Sequence, residues 1–350
     1  MKSNSSKVHF LPWNKKNNLS VLLKAGGLPE LFDKNESVAI KAHFGEKGNK
    51  GHVNPKYFLP IIKMALKAKT HPFLTDTNTI YHGARNNAAS HLEIAAMHGF
   101  STDRLGVPII IADGDYGHSY KEIKIDGRHF QKVKIGQAIA RSDMIIAVSH
   151  FKGHLLAGFG GAIKNLGMGC GSRVGKFEMH SSVSPSVNLR YCTGCGACVT
   201  VCSQGALKVV GDKIVLDAKK CAGCGECILA CSQQVLGIKW SEPGKNVQEK
   251  FAEYAKGAVR GKKIFCVTFV NHITANCDCV SFDETPLMSD VGILASKDPV
   301  AIDQAAFDSV LKKAGYDVFR KAHPNIDYNV QLVHAEKMGL GTRRYELVQL

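Results

Sequence analysis

Residues Cys192–Cys202 read CTGCGACVTVC, and 29 positions on Cys221–Cys231 read CAGCGECILAC, the same C-x-x-C-x-x-C-x-x-x-C spacing twice. Three thiolates two residues apart can wrap one corner each of a cubane, and the fourth lies too far along the chain to join them. The duplicated run is therefore read as two [4Fe–4S] sites that exchange their fourth ligands. Cys192, Cys195, Cys198 and Cys231 would hold the first cluster. Cys221, Cys224, Cys227 and Cys202 would hold the second. A pair of zinc knuckles is the alternative, but zinc favours two C-x-x-C pairs across a longer loop rather than a copied triple run. Two adjacent clusters would carry single electrons.

A 55-residue stretch around these cysteines has little core of its own and would be stapled by its clusters. SSVSPSVN (181–188) leads into it and SEPGKN (241–246) leads out. Between the two runs, Leu207–Val210 and Ile214–Leu216 read as a hairpin. The expected organisation is a discontinuous large α/β domain at 1–185 and 244–350, with an inserted α+β ferredoxin-like domain at 186–243. In the flanks, short apolar runs alternate with helical periodicity. Strands are expected at Val38–Ala42, Phe73–Thr75, Val107–Ala112, Met144–Ser149, Lys263–Val270, Val291–Ala295 and near Glu346–Leu350. Helices are expected at Pro55–Lys69, Asn87–His98, Val247–Val259, Val300–Lys313 and Val330–Met338. Tyr120–Ile125 and Arg128–Ile135 read as a hairpin on an Asp-Gly turn. The alternation implies a mostly parallel sheet covered by helices.

The 350 residues carry 45 Lys and Arg against 30 Asp and Glu, a formal charge of +15. Each holocluster would add a charge of −2. The basic residues form no block with interleaved aromatics, so a nucleic-acid partner is not expected. The charge suits an acidic redox partner protein or an anionic small molecule. No run approaches a membrane span, and the first residues hold no apolar signal core. Eight cluster-spaced cysteines imply a reducing, anaerobic cytoplasm.

In open α/β sheets ligands bind beyond the carboxyl ends of the strands. Here those ends run into His43, Glu46 and Lys47; Asp76, Asn78, Tyr81, His82 and Arg85; Asp113 and Asp115; His150, Lys152 and His154; Asn271 and His272; and Lys297 and Asp298. Asp298-Pro299 also reads as a helix N-cap followed by Pro at the first position. The densest segment, His150–Gly175 (HFKGHLLAGFGGAIKNLGMGCGSRVG), sets Lys152, His154, Lys164, Asn165 and Arg173 among glycines that include Gly160 and Gly161. Glycine lets backbone N–H groups approach a ligand, so an anion or cofactor cradle is expected, against close packing of a helix on the sheet. His43, His150, His154 and His180, with Asp76, are the candidate proton-handling groups. Four cysteines remain. Cys266 reads as core. Cys170, Cys277 and Cys279, with His180, could form a third metal centre, or Cys170 could be a redox thiol facing substrate.

HFGEKGN (43–49), TDTNTIYHGAR (75–85), SHFKGH (149–154), GFGGAIKNLGMGC (158–170), CDC (277–279) and GILASKDPVAID (292–303) together resemble the family called domain-of-unknown-function 362, in a form carrying a two-cluster ferredoxin module. The resemblance spans nearly the whole chain and implies an anaerobic cytoplasmic redox protein without naming a reaction. One departure stands out: Ser203 and Ser232 replace the Pro that usually follows the fourth Cys. The sequence thus points to an iron–sulfur oxidoreductase passing electrons from two clusters to a glycine-rich site, with a flavin or third metal as a further cofactor. The rivals are a non-catalytic electron carrier for a partner enzyme and a metal-handling scaffold.

Overall fold

The computed structural model describes residues 5–81, 83–180, 184–221, 225–237 and 243–350. Eight strands form one sheet: β1 Ser6–Pro12, β2 Ser37–Lys41, β3 His71–Asp76, β4 Ile109–Ile111, β5 Met144–His150, β6 Lys263–Val270, β7 Gly292–Ser296 and β8 Tyr345–Gln349. Their order is β8-β1-β7-β6-β5-β2-β3-β4. Every neighbouring pair is parallel except the two that β7 makes, with β6 and with β1.

Along β5 every residue is buried. Ile145 and Ala147 enter the core on one face, and Ile146 and Val148 enter the core on the other. A two-residue side-chain period with both faces covered explains why this strand reads as a continuous apolar run rather than an alternation. On the first face lie α3 Ala162–Gly167, α5 Gly244–Val259 and α6 Pro299–Ala314, contributing Ile163, Phe251 and Ile302. On the second lie α1 Leu59–Lys67 and α2 Ala88–Met97, contributing Ile62 and Ala95. The expectation of an α/β fold with a mostly parallel, helix-covered sheet holds. Among the described residues no helix is long and apolar enough to cross a membrane.

Three expectations are corrected. β7 runs against its neighbours, so Lys297 and Asp298 leave the sheet at the edge opposite the other strand ends. Asp298 there caps α6, accepting from the Val300 and Ala301 amides at 2.8 and 2.9 Å. β1 has no counterpart in the sequence reading, because SKVHFLP pairs on both sides yet buries only two of its residues. The Tyr120–Lys124 and Lys132–Gly136 hairpin turns through a longer loop than Asp126-Gly127, clamped where Glu253 accepts from the Arg128, His129 and Phe130 amides.

Between β5 and β6, which pair directly, the chain makes α4 Arg173–His180 and then the cysteine-rich segment. Ser186–Val187 pairs with Leu236–Gly237 and ties the ends of that segment together. Leu207–Val210 and Lys213–Leu216 form the expected hairpin. Its apolar cluster contains Cys192, Cys198, Cys227, Cys231, Leu207, Ile214 and Leu236, with Ile80 and Phe177 from the main body.

Candidate functional site

The carboxyl ends of β2, β3 and β5 open onto a cavity of about 490 Å³. β2 delivers Lys41 and then His43; β3 delivers Asp76, then Thr77, Ile80, Tyr81 and Arg85; β5 delivers His150, then Lys152 and His154. Gly161 just before α3, Lys164 and Asn165 of α3, Lys176 and His180 of α4, and Cys277 and Cys279 complete the wall. Parallel strands point their ends the same way, which is why residues from Lys41 to Cys279 meet.

Five cations line this space, and three carboxylates answer them. Lys41 Nζ lies 3.0 Å from Asp76, Arg85 Nε 3.0 Å from Glu46, and Lys152 Nζ 3.0 Å from Asp278. Lys164 Nζ donates to Cys277 Sγ at 3.1 Å. Lys176 donates to Thr77 Oγ1 and, at 2.8 Å, to the Asn78 carbonyl. Burial pulls the Lys176 pKa down to about 8, with Asp113 and Asp76 acting against that fall. Buried ions need partners, and the excess here is positive.

The histidines divide by their contacts. His150 presents Nδ1 to Asp278 at 2.9 Å and Nε2 to the Asn271 carbonyl at 2.7 Å, so both nitrogens face acceptors and neither is left for a ligand. Burial, then Arg85, holds His43 well below the ordinary imidazole range. Burial, then Lys164, does the same to His154 and pulls His180 down to about 3. His154 Nδ1 accepts from the Leu156 amide at 3.3 Å, which leaves its proton on Nε2. The imidazoles of His43, His154 and His180 are neutral at working pH.

The glycine-rich cradle needs correction. The amides of Ala162 and Ile163 at the start of α3 donate to the Asp303 carboxylate at 2.6 and 2.9 Å. A Cβ on Gly161 would stand 2.3 Å from Asp303 Oδ1. That glycine is needed for the chain's own carboxylate, and the close-packing alternative applies there. Gly160 does not line the cavity. Arg173 does not either: its guanidinium donates to the Asn86 carbonyl at 2.6 Å and its amide to Asp113. Asn165 bridges Lys41, at 2.9 Å, to the Ser149 hydroxyl, at 3.0 Å. The cationic lining of the cavity is therefore made of lysine and arginine side chains rather than of the first α3 amides.

The third metal set does not assemble. Cys170 is fully buried in the main core, where burial pushes its thiol up to about 11, and it does not line the cavity with Cys277, Cys279 and His180. Among the described residues no three His, Cys, Asp or Glu side chains close around a single-ion position. Cys277 is held well below the ordinary thiol range by a hydrogen bond from Cys279 and by the Lys164 and Lys152 charges.

Sequence reasoning missed Lys41 and Lys176. Lys41 ends a strand whose last four residues are buried, an odd place for a lysine and a usable signal. Lys176, in RVGKFEMH, looks like a solvated helix residue and gives none. His82 lies outside the described residues.

In the cysteine-rich segment two small cavities of about 20 Å³ each sort the sulfurs. One is lined by Cys192, Cys195, Cys198 and Cys231; the other by Cys202, Cys221 and Cys227. Cys224 lies outside the described residues. The two runs repeat each other in detail. Gly196 and Gly225, four residues after each first Cys, both take φ +77°. Cys202 and Cys231 each accept a backbone N–H from the fourth residue on, at 3.2 and 3.3 Å. The turns after these cysteines close without proline, Gly205 and Gln234 donating to the Cys202 and Cys231 carbonyls at 3.0 Å.

Two solved structures show limited likeness. One is the lactate racemase apoprotein from Thermoanaerobacterium thermosaccharolyticum, with TM-score 0.40 and 12% identity over 76% of this chain and 51% of that one. The other is a Thermotoga maritima protein, with TM-score 0.38 and 9% identity over 92% of this chain and 58% of that one. The chain thus spans little more than half the length of either. No protein with a curated description matches the sequence. The model of the family described as "Domain of unknown function (DUF362)" matches residues 38–308, and the chain belongs to that family.

Proposed function

We propose that this chain is an iron–sulfur redox protein that moves electrons between two [4Fe–4S] clusters and an anionic molecule in the cationic cavity. The described sulfurs support two cubanes: Cys192, Cys195, Cys198 and Cys231 line one small cavity, and Cys202, Cys221 and Cys227 line the other. The thiolates of a cubane bind different irons, so they need not converge as ligands of one ion do. Cys192, Cys195, Cys198 and Cys231 would hold one cluster; Cys221, Cys224, Cys227 and Cys202 would hold the other. When bound, the clusters supply one-electron transfer. The amides of Ala206 and Val235, donating to Cys202 and Cys231, would stabilise charge on those sulfurs and raise the potentials.

The carrying observation is a shared wall. Ile80 lines the cavity and also packs into the cysteine cluster, while α4 presents Lys176 and His180 to the cavity and Phe177 to the cysteines. Around the ligand, Lys152, Lys164, Lys176 and Arg85 would hold negative charge. His154, neutral and protonated at Nε2, would hand on or take up a proton. The inserted ferredoxin-like unit would span 186–243.

The test is anaerobic reconstitution followed by iron and sulfide analysis. Dithionite-reduced protein is then mixed with a panel of small organic anions while cluster reoxidation is followed optically. About eight irons per chain and anion-dependent reoxidation that Lys164→Ala abolishes are the expected results. Iron loading without any anion dependence would sink the enzyme reading. It would leave the second reading, a non-catalytic carrier for an acidic partner, which the exposed Cys195 favours because a cluster held there would have an edge at the surface.

A further inference from the structure

The cavity holds two sulfurs that the cluster reading does not use. Cys277 and Cys279 both line it. The Val280 amide donates to the Cys277 carbonyl at 3.1 Å, so residues 277–280 form a closed turn that brings the two side chains together. Cys279 hydrogen-bonds to Cys277. The residue between them is held from outside the turn: Asp278 accepts from His150 at 2.9 Å and from Lys152 at 3.0 Å. Glycine at position 51 leaves room for that carboxylate, since a Cβ there would stand 2.6 Å from Asp278 Oδ1. The two cysteines outside the clusters and the turn, Cys170 and Cys266, sit fully buried in the main core and do not line the cavity.

We infer that Cys277 and Cys279 are a reversible dithiol–disulfide couple facing the cavity ligand. Starting from the Cys277 thiolate and the Cys279 thiol, closing it breaks one S–H bond, forms one S–S bond and releases one proton to water and two electrons. The acceptors are one-electron carriers used twice, the class that the two cluster sites of the proposed function supply, so that part of the inference rests on that reading. The couple would let a pair of one-electron centres serve a two-electron exchange at the cavity. A pinned turn favours this chemistry because the sulfurs are already adjacent and little chain has to be ordered to join them.

The test uses the full-length holoprotein, handled without oxygen and equilibrated in mixtures of oxidised and reduced dithiothreitol. Samples are acid-quenched, alkylated with iodoacetamide and digested, and the fragment holding Cys266, Cys277 and Cys279 is weighed. It should carry three alkyl groups under reducing conditions and one, on Cys266, under oxidising conditions, with a two-electron dependence on the ratio. Cys279→Ser should keep both remaining thiols alkylated throughout. Three alkyl groups across the whole range, or a disulfide that includes Cys266, would overturn the couple. Iron and sulfide are counted on the same samples. A fragment that closes in iron-free protein defeats the cluster reading alone, and iron-loaded protein that never closes defeats the couple alone.

Discussion

Lys176 sets the pH behaviour of the cavity. Its ammonium rests on neutral oxygens of Thr77, Asn78 and Gly171, and burial brings its pKa to about 8. A bound anion favours the charged form, so binding takes up a proton once pH exceeds that value. Affinity for sulfate, which does not titrate in this range, should therefore fall as pH rises from 7 to 9. The loss should approach about 10-fold, the ratio of the charged fractions one pH unit below and one above a pKa of about 8. Lys176→Met should bind weakly and without that pH dependence; calorimetry at three pH values checks both. Asp278 is the complementary case, since one carboxylate neutralises Lys152 and orients His150. Asp278→Asn leaves a buried ammonium uncompensated and should cost about 3–5 kcal/mol, read from the urea midpoint. An unchanged midpoint would mean that this cluster is held by something else.

At the scale of elements, the helix start at Ala162 and the repeat glycines make separable claims. Asp303, buried beneath α3, has its carboxyl pKa pushed up to about 7 by desolvation. A carboxyl raised above its unfolded value binds more protons in the native state, so its contribution to stability is present below about pH 4 and is lost as pH rises to 7. Urea denaturation at pH 5, 6 and 7 should show wild-type protein losing stability relative to Asp303→Asn. Gly196 and Gly225 share φ +77°, so Ala at either strains the backbone by roughly 1 kcal/mol. Only at Gly225 would the new Cβ meet the Phe177 ring, at 2.8 Å. Gly225→Ala should thus expose the cysteine segment to limited proteolysis while Gly196→Ala should not. Equal sensitivity would mean that Phe177 does not dock the segment. The helices and the inner strands were readable because they bury whole faces, as MIIAVSH does at β5. The direction of β7 was not, since a five-residue buried strand has the same composition whichever way it runs. β1 was missed because pairing, not burial, keeps it in place. At the site, the strand-end histidines and lysines could be listed from sequence. That Asp303 fills the α3 amides, or that Lys176 turns inward, depends on contacts more than 95 positions away.

At the scale of the molecule, the question is which sulfurs belong together, because that decides whether the two cysteine runs act as one unit. Grouping by proximity in sequence would put Cys202 with Cys192, Cys195 and Cys198. The cavities group Cys231 with those three and Cys202 with Cys221 and Cys227. Neighbouring charge agrees: burial, then Cys231, Cys195 and Cys192, push the Cys198 thiol up. Double substitutions separate the arrangements better than single ones, since each single change removes one cluster under either scheme. With exchanged fourth ligands, Cys192→Ser combined with Cys231→Ser breaks one site twice and should leave about four irons per chain. Cys192→Ser with Cys202→Ser breaks both and should leave almost none. Sequence-local grouping reverses these results. Iron analysis after anaerobic reconstitution, with the paramagnetic resonance of the dithionite-reduced protein to identify the surviving cluster, decides between them. The exchanged outcome would mean that neither run can hold its cluster alone. The segment would then fold as a whole on metal binding, and the wall shared by Ile80 and Phe177 would form only in loaded protein.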